Sequence, residues 1–120
     1  MKNENRAVGK KGEDIAARFL VRRGYRILAR NFRAPVGEID IVARKKGMLV
    51  FAEVKTRRNS LFGPPYLAVN HKKRKKLIRC AFCYLRIKGL TDLPWRIDVI
   101  SLELRRFCQK IEHFKNAVEE

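Results

Sequence analysis

The sequence predicts an α/β domain with the element order α-β-β-β-α-β, a mixed central sheet flanked by helices. Three observations carry that expectation. Two segments show apolar residues at helical spacing, several runs are rich in β-branched and aromatic residues, and two of those runs are joined by a hairpin signal.

Gly12 to Arg23 reads as the first helix, because Ala16, Ala17, Phe19 and Leu20 recur at helical spacing and Gly24 stops them. Tyr25 to Phe32 alternates and reads as a strand, closed by a turn around Pro35-Val36-Gly37. Glu38 to Arg44 and Met48 to Thr56 are strands joined through Lys45-Lys46-Gly47. Arg57 to Pro65 is polar and rich in breakers, hence a loop. Asn70 is the expected N-cap of a helix reaching about Ile87, with Leu77, Ile78, Ala81, Phe82 and Leu85 on its apolar face. Pro94 to Leu104 is a further strand, and Ile111 to Val118 forms a short tail. With no repeat and no Ser- or Gly-rich linker, residues 1–120 form one domain with a polar N-terminal arm over residues 1–8.

The chain has 120 residues, 29 of them Lys or Arg against 12 Asp or Glu, for a net charge of +17. At 46% hydrophobic residues it is too apolar for a disordered basic tail. No segment approaches the roughly 20 apolar residues of a membrane span, and no basic amphipathic anchor is visible, so a membrane partner is not expected. The first residues carry no apolar signal core, which points to a cytoplasmic protein. Such a charge repels itself in a compact state and normally meets a polyanion, nucleic acid being the default. The cysteines are Cys80, Cys83 and Cys108, an odd number that argues against a disulfide framework. Cys80 and Cys83 spell C-x-x-C, but within a helical apolar pattern, where core packing competes with redox or metal chemistry.

In so basic a chain, acids that interrupt apolar strands are informative. Glu38 and Asp40 share one face of their strand, as do Glu53 and Lys55 of the next. A tight hairpin at Lys46-Gly47 sets Asp40 opposite Glu53 and Glu38 opposite Lys55, with Ile39 facing Val54 and Ile41 facing Ala52 on the other side. Opposed carboxylates repel and call for compensation. A divalent cation supplies it, and hard oxygen donors without His or Cys select magnesium or manganese. Lys55 then stands beside the metal, where it holds an attacking water and the scissile phosphate. The plainer alternative is a cross-strand salt-bridge cluster. Glu13 likewise has two readings, a site residue beside the buried stripe of the first helix or a first-turn acid favoured by the helix dipole.

The segments Gly12-Glu13-Asp14, Gly37-Glu38-Ile39-Asp40 and Phe51-Ala52-Glu53-Val54-Lys55-Thr56-Arg57 resemble the YraN-like family. This is an uncharacterised bacterial group placed with the restriction-endonuclease-like PD-(D/E)XK nucleases and related to archaeal Holliday junction resolvases. The likeness runs from about Gly9 to Val118 and includes Gly24-Tyr25-Arg26-Ile27-Leu28, Phe62-Gly63-Pro64, Arg96-Ile97-Asp98-Val99 and Ile111-Glu112-His113-Phe114. It implies a restriction-endonuclease-like core, Asp40, Glu53 and Lys55 as the D…E-x-K catalytic motif, and Glu13 as the helix-one acid of resolvases. It further implies the Val54 backbone carbonyl as a metal ligand alongside Asp40 and Glu53, with Glu13 completing the site. Lys72 or Lys73 takes the place of the Gln or Lys that many related nucleases carry on the second core helix. Asp98 is read as the partner of an Arg rather than as a metal ligand.

Lys72, Lys73, Arg74, Lys75 and Lys76 form the densest run of charge, and Arg57 and Arg58 follow the E-x-K strand directly. These are the expected nucleic-acid contacts, and phosphate contacts of this kind position a substrate without reading its sequence. The resulting expectation is a magnesium- or manganese-dependent endonuclease acting on DNA, branched DNA included, as a homodimer where two strands are cut. The alternative is a non-catalytic nucleic-acid-binding module with the same fold.

Overall fold

The computed structural model describes residues 2–57 and 71–118, with side chains described from residue 8 onward. Helix α1 spans Lys2–Arg22, followed by strands β1 (Arg26–Ala34), β2 (Gly37–Lys45) and β3 (Met48–Arg57), helix α2 (His71–Lys88), and strands β4 (Trp95–Leu104) and β5 (Gln109–Val118). The five strands form one sheet in the order β1-β2-β3-β4-β5. All neighbours are antiparallel except β3 and β4, which run parallel because the chain crosses over between them through α2. The expected α-β-β-β-α-β order is present, in a mixed α/β architecture extended by β5. No helix among the described residues is long and apolar enough to cross a membrane.

Each helix covers one face of the sheet. On one side Leu77, Cys80, Ala81, Tyr84 and Leu85 of α2 pack on Val42, Leu49, Phe51, Ile97 and Val99. On the other, Ile15, Ala16 and Leu20 of α1 pack on Ile41, Ala43, Val50, Ala52, Ile100 and Leu102. Burial on both faces explains why β3 opens as an unbroken apolar run rather than an alternating one. Cys80 belongs to the α2-side core, Cys83 is half-buried in the same helix, and the three cysteines are free thiols. Burial pushes the Cys80 thiol up, which leaves it a weak nucleophile. The C-x-x-C spacing is therefore core packing.

The structure corrects two boundaries. Helix α1 begins at Lys2, so residues read as a polar arm continue the helix, and Gly9 and Gly12 lie inside it instead of marking its start. Ala, Lys, Arg and Glu there are good helix formers, and two glycines do not outweigh them. The tail is a ten-residue strand paired with β4. Its alternation is hidden by a register shift between Ile97 and Val99 of β4 and by Asn116 at φ 52°. The proposed N-cap Asn70 lies outside the described residues.

That irregularity is tied down by Asp98, which is fully buried on β4. Its carboxylate accepts hydrogen bonds from Arg96 Nε at 3.0 Å, His113 Nε2 at 2.7 Å and the Asn116 backbone N–H at 2.8 Å. Arg96 also donates to the Tyr25 hydroxyl at 2.7 Å, linking the residue before β1 to β4. The expected Arg partner of Asp98 is thus Arg96. Burial alone would raise the Asp98 carboxyl, but the hydrogen bonds from His113, Arg96 and Asn116 outweigh it and hold the group below its usual range. A depressed folded pKa contributes stability that is complete above the unfolded value near 4 and is lost as pH falls through the folded value. Urea unfolding of Asp98→Asn is expected to show a loss of about 3 kcal/mol at pH 7, because Arg96 loses its buried counter-charge and His113 its carboxylate partner. The variant is also expected to lack the part of the acid-induced destabilisation below about pH 4 that wild type owes to this carboxyl.

Candidate active site

The β2–β3 hairpin turns at Lys46 and Gly47, with φ of 50° and 79°, the positive pair that a two-residue type I′ turn requires. It fixes the register read from the sequence: Lys45 faces Met48 and Ile41 faces Ala52. Beyond Ile41 and Ala52 the ladder ends. There the Val54 N–H donates to the Asp40 carboxylate at 2.8 Å, a side chain taking the place of a backbone acceptor. The faces part as well, since Ile39 is buried under α2 whereas Ile41 and Val54 pack on the α1 side. The expected cross-strand pairs Ile39–Val54 and Asp40–Glu53 therefore do not form as ladder pairs. The acids instead meet across a cleft at the mouth of this split.

Asp40, Glu53 and Lys73 line both halves of that cleft. One half, about 420 Å³, is bordered by Val36, Gly37, Glu38, Lys72, Lys76 and Leu77. The other, about 360 Å³, is bordered by Val8, Gly9, Glu13, Val54, Lys55 and Thr56. Glu53 is only 5% exposed, and its Oε1 lies 2.6 Å from Lys73 Nζ and 3.5 Å from Lys55 Nζ. The choice between Lys72 and Lys73 thus falls on Lys73 for contact with the acids, while Lys72 lines the rim. Glu38 does not face Lys55. It is exposed and pairs with Arg33, its neighbour on β1, at 3.4 Å, because β2 stays with β1 where it leaves β3.

Glu13 lies mid-helix now that α1 begins at Lys2, which removes the first-turn dipole as the reason for an acid there. It enters the recess with Asp40, Glu53 and Lys55 and is held by Arg30, 3.8 Å away, which also grips Asp14 at 2.8 Å. The sequence does not single out Arg30, since its partners Glu13 and Asp14 lie on another element. Asn31, adjacent on β1, stands at φ 52° and also bonds Glu13, and an Asn inside a strand is the local signal for such a kink. Gly12 brings the helix close: a Cβ there would stand 1.9 Å from Thr56 Oγ1 and 3.0 Å from Thr56 Cβ. Among the described residues, no three Asp, Glu, His or Cys side chains converge tightly enough to enclose a metal ion. Arg30 retains Glu13, leaving Asp40 and Glu53 as the acids within reach of each other across the cleft.

The electrostatics follow from this crowding. Burial, then the charge of Glu53, pushes the Asp40 carboxyl up to about 7 against the opposing hydrogen bond from Val54. Burial also raises Glu13, with Arg30 acting the other way. Lys55 is lowered, first by burial and then by its hydrogen bond with Lys73. For Lys73 burial acts downward, but its bonds to Glu53 and Lys55 prevail and raise it. Of the other basic residues, Arg74 and Lys75 are exposed outside the cleft lining, and Arg57 ends β3 opposite Glu103. Arg58 lies outside the described residues.

The fold and cleft define an α/β domain with a buried Glu53, held by two lysines, beside a half-buried Asp40 at a split in its sheet. The chain belongs to the uncharacterised protein family UPF0102, which it matches over residues 12–102 and to which the Gly-Glu-Ile-Asp and Glu-Val-Lys-Thr-Arg segments pointed. It is 48% identical to a UPF0102 protein of Syntrophotalea carbinolica, over 94% of this chain and 92% of that one. It is 46% identical to one of Geobacter sulfurreducens, over 98% and 92%, and 47% identical to one of Roseiflexus castenholzii, over 94% of each. Among solved structures it is similar to Pyrococcus furiosus SfsA in complex with Ca2+, with a TM-score of 0.41 and 17% identity. That match covers 97% of this chain, which spans 65% of the SfsA chain.

Two outcomes test the geometry. Gly12→Ala is expected to cost about 1–3 kcal/mol in denaturant unfolding through overpacking against Thr56, although Ala is the better helix former. Asp40→Asn is expected to raise the melting temperature at pH 8 in chelator. An acid whose folded pKa is raised loses stability as pH climbs from its unfolded to its folded value, so the difference should shrink as pH falls and vanish only below about pH 4, where the wild-type carboxyl is protonated in the folded and unfolded states alike.

Proposed function

We propose that the chain is a metal-dependent endonuclease of the PD-(D/E)XK type, acting on DNA with branched DNA among its substrates. The observation that carries this reading is the meeting of Asp40, Glu53 and Lys55 in one cleft at the β2–β3 split of a chain with net charge +17. The donor set suits Mg2+ or Mn2+: two carboxylates, one of them driven up by burial and by its neighbour's charge, with no sulfur or imidazole among the described residues that line the cleft. Asp40, Glu53 and the Val54 carbonyl would hold the ion, with Glu13 at hand across the recess. When bound, it lowers the pKa of its water and offsets charge on the phosphate.

The chain's own residues have distinct tasks. The Val54 N–H fixes one Asp40 oxygen and so aims the other. Lys55, held by Glu53, orients the attacking water and steadies the phosphate oxygens. Lys72 and Lys76 line the approach to the acids and would guide the phosphate backbone, with Arg57, Arg58, Arg74 and Lys75 extending the contact surface. The first turns of α2 carry cations and no acid, against the preference of a helix N-terminus, a placement that serves an anion better than it serves the helix. Cutting both strands of a symmetric junction needs two sites, hence a homodimer. Free thiols suit a reducing cytoplasm.

The rival, a non-catalytic nucleic-acid-binding module, has one observation in its favour, the neutralisation of Glu53 by lysines. Linear, flapped and four-way-junction DNAs incubated with Mg2+ or Mn2+ separate the two. Metal-dependent cutting is expected, lost in Asp40→Asn while binding persists, and reduced roughly 10²–10³-fold in Lys55→Ala. Binding of every DNA without cutting, unchanged by Asp40→Asn or Glu53→Gln, would favour the rival.

A further inference from the structure

Glu53 is the most deeply buried acid of the cleft, and the cation nearest it is not on its own strand. Lys73 reaches it from the first turn of α2, placing Nζ 2.6 Å from Glu53 Oε1, closer than the 3.5 Å of Lys55 two residues along β3. Lys73 also lines both halves of the cleft, and its charge acts on Asp40 as well as on Glu53. With Asp40 ionised, the carboxylates of Asp40 and Glu53 are matched by the ammoniums of Lys55 and Lys73. A divalent cation entering with both lysines in place would meet two positive charges within a few ångströms, in surroundings that screen poorly. Both lysines carry flexible four-carbon stems, but Lys73 is the more exposed, at 38% against 22% for Lys55, and has the more open path to swing outward.

We propose that Lys73 is an internal counter-cation of the acidic cluster, holding by its ammonium the place that a divalent cation takes, so that metal binding displaces it and Lys73 sets the metal affinity of the site. This rests on the nuclease reading above and concerns how that site is regulated. Lys73 keeps the two carboxylates compatible while metal is absent, and it is released toward Lys72 and Lys76 at the rim, where phosphate arrives. The competition is a matter of differential affinity: a group that binds the acids more tightly without metal weakens the metal by the same factor.

The test is calorimetric titration of the full chain with Mn2+ alone, comparing wild type, Lys73→Met, Lys76→Met and Asp40→Asn. Lys73→Met, which keeps the stem and removes the charge, is expected to bind Mn2+ at least about tenfold more tightly than wild type. Lys76→Met, exposed on the same rim, is expected to stay within about threefold because solvent screens it. Nitrogen-15 NMR of the lysine ammonium groups in wild type gives a readout that needs no variant, the Lys73 signal moving as Mg2+ is added. Equal or weaker Mn2+ binding by Lys73→Met, or a Lys73 signal unmoved at saturating Mg2+, overturns the inference while leaving the metal site standing. Failure of wild type and Lys73→Met alike to bind Mn2+ beyond the level of Asp40→Asn overturns the metal site itself, and the inference with it.

Discussion

The hydrogen bond from the Val54 N–H to the Asp40 carboxylate organises the cleft. An antiparallel ladder closes by pairing backbone with backbone, and β2 and β3 do so from Lys45–Met48 to Ile41–Ala52. At the next step a carboxylate intrudes. Once Val54 donates to a side chain, its strand need not stay in register with Ile39, and the two residues end up in cores on opposite faces of the sheet. The gap this opens admits Glu13 from α1 on one side and Lys73 from α2 on the other. Both helices thus reach a point that a continuous sheet would have sealed.

Such an arrangement is poor for stability. Two acids crowd each other in a half-buried cleft, a lysine is desolvated beside them, and cations collect at the positive end of α2. Residues of similar size without charge would relieve each of these strains. The contrast with Asp98 is instructive, because that carboxylate is buried more completely yet fully satisfied, with Arg96, His113 and Asn116 supplying its partners. One buried acid is a rivet for β5, and the others are kept in tension. Tension of this kind marks functional sites, where charge is held ready for a ligand.

The hairpin and its register were legible because a two-residue turn leaves little freedom and a one-residue slip would have exposed a core face. Extending that register also brought Asp40, Glu53 and Lys55 together, although they meet across a cleft just past the last ladder pair. The pairing of Glu38 with Lys55 extended that register past the point where it holds, and nothing in an alternating pattern announces that a side chain will replace a ladder acceptor. The start of α1 was hidden by Gly12, a residue there for close approach to Thr56 and not as a breaker. The strand β5 was obscured by the kink at Asn116, which shifts its alternation midway. Arg30 and Lys73 reach the acids from other elements, and contacts of that kind exist only once the helices are docked.

The lysines beside the acids also answer a difficulty that any carboxylate site faces on a polyanion. A phosphate approaching Asp40 and Glu53 would meet two negative charges, and the favourable field of a +17 surface would fail at the point of reaction. With Lys55 and Lys73 on Glu53, much of the negative charge of the cleft is offset before any phosphate would reach it. The positive potential of the rim at Lys72 and Lys76 then continues into the cleft. On the proposed nuclease reading, neutrality at the centre of a basic surface would let the same residues attract a phosphate and retain the capacity to bind a cation beside it.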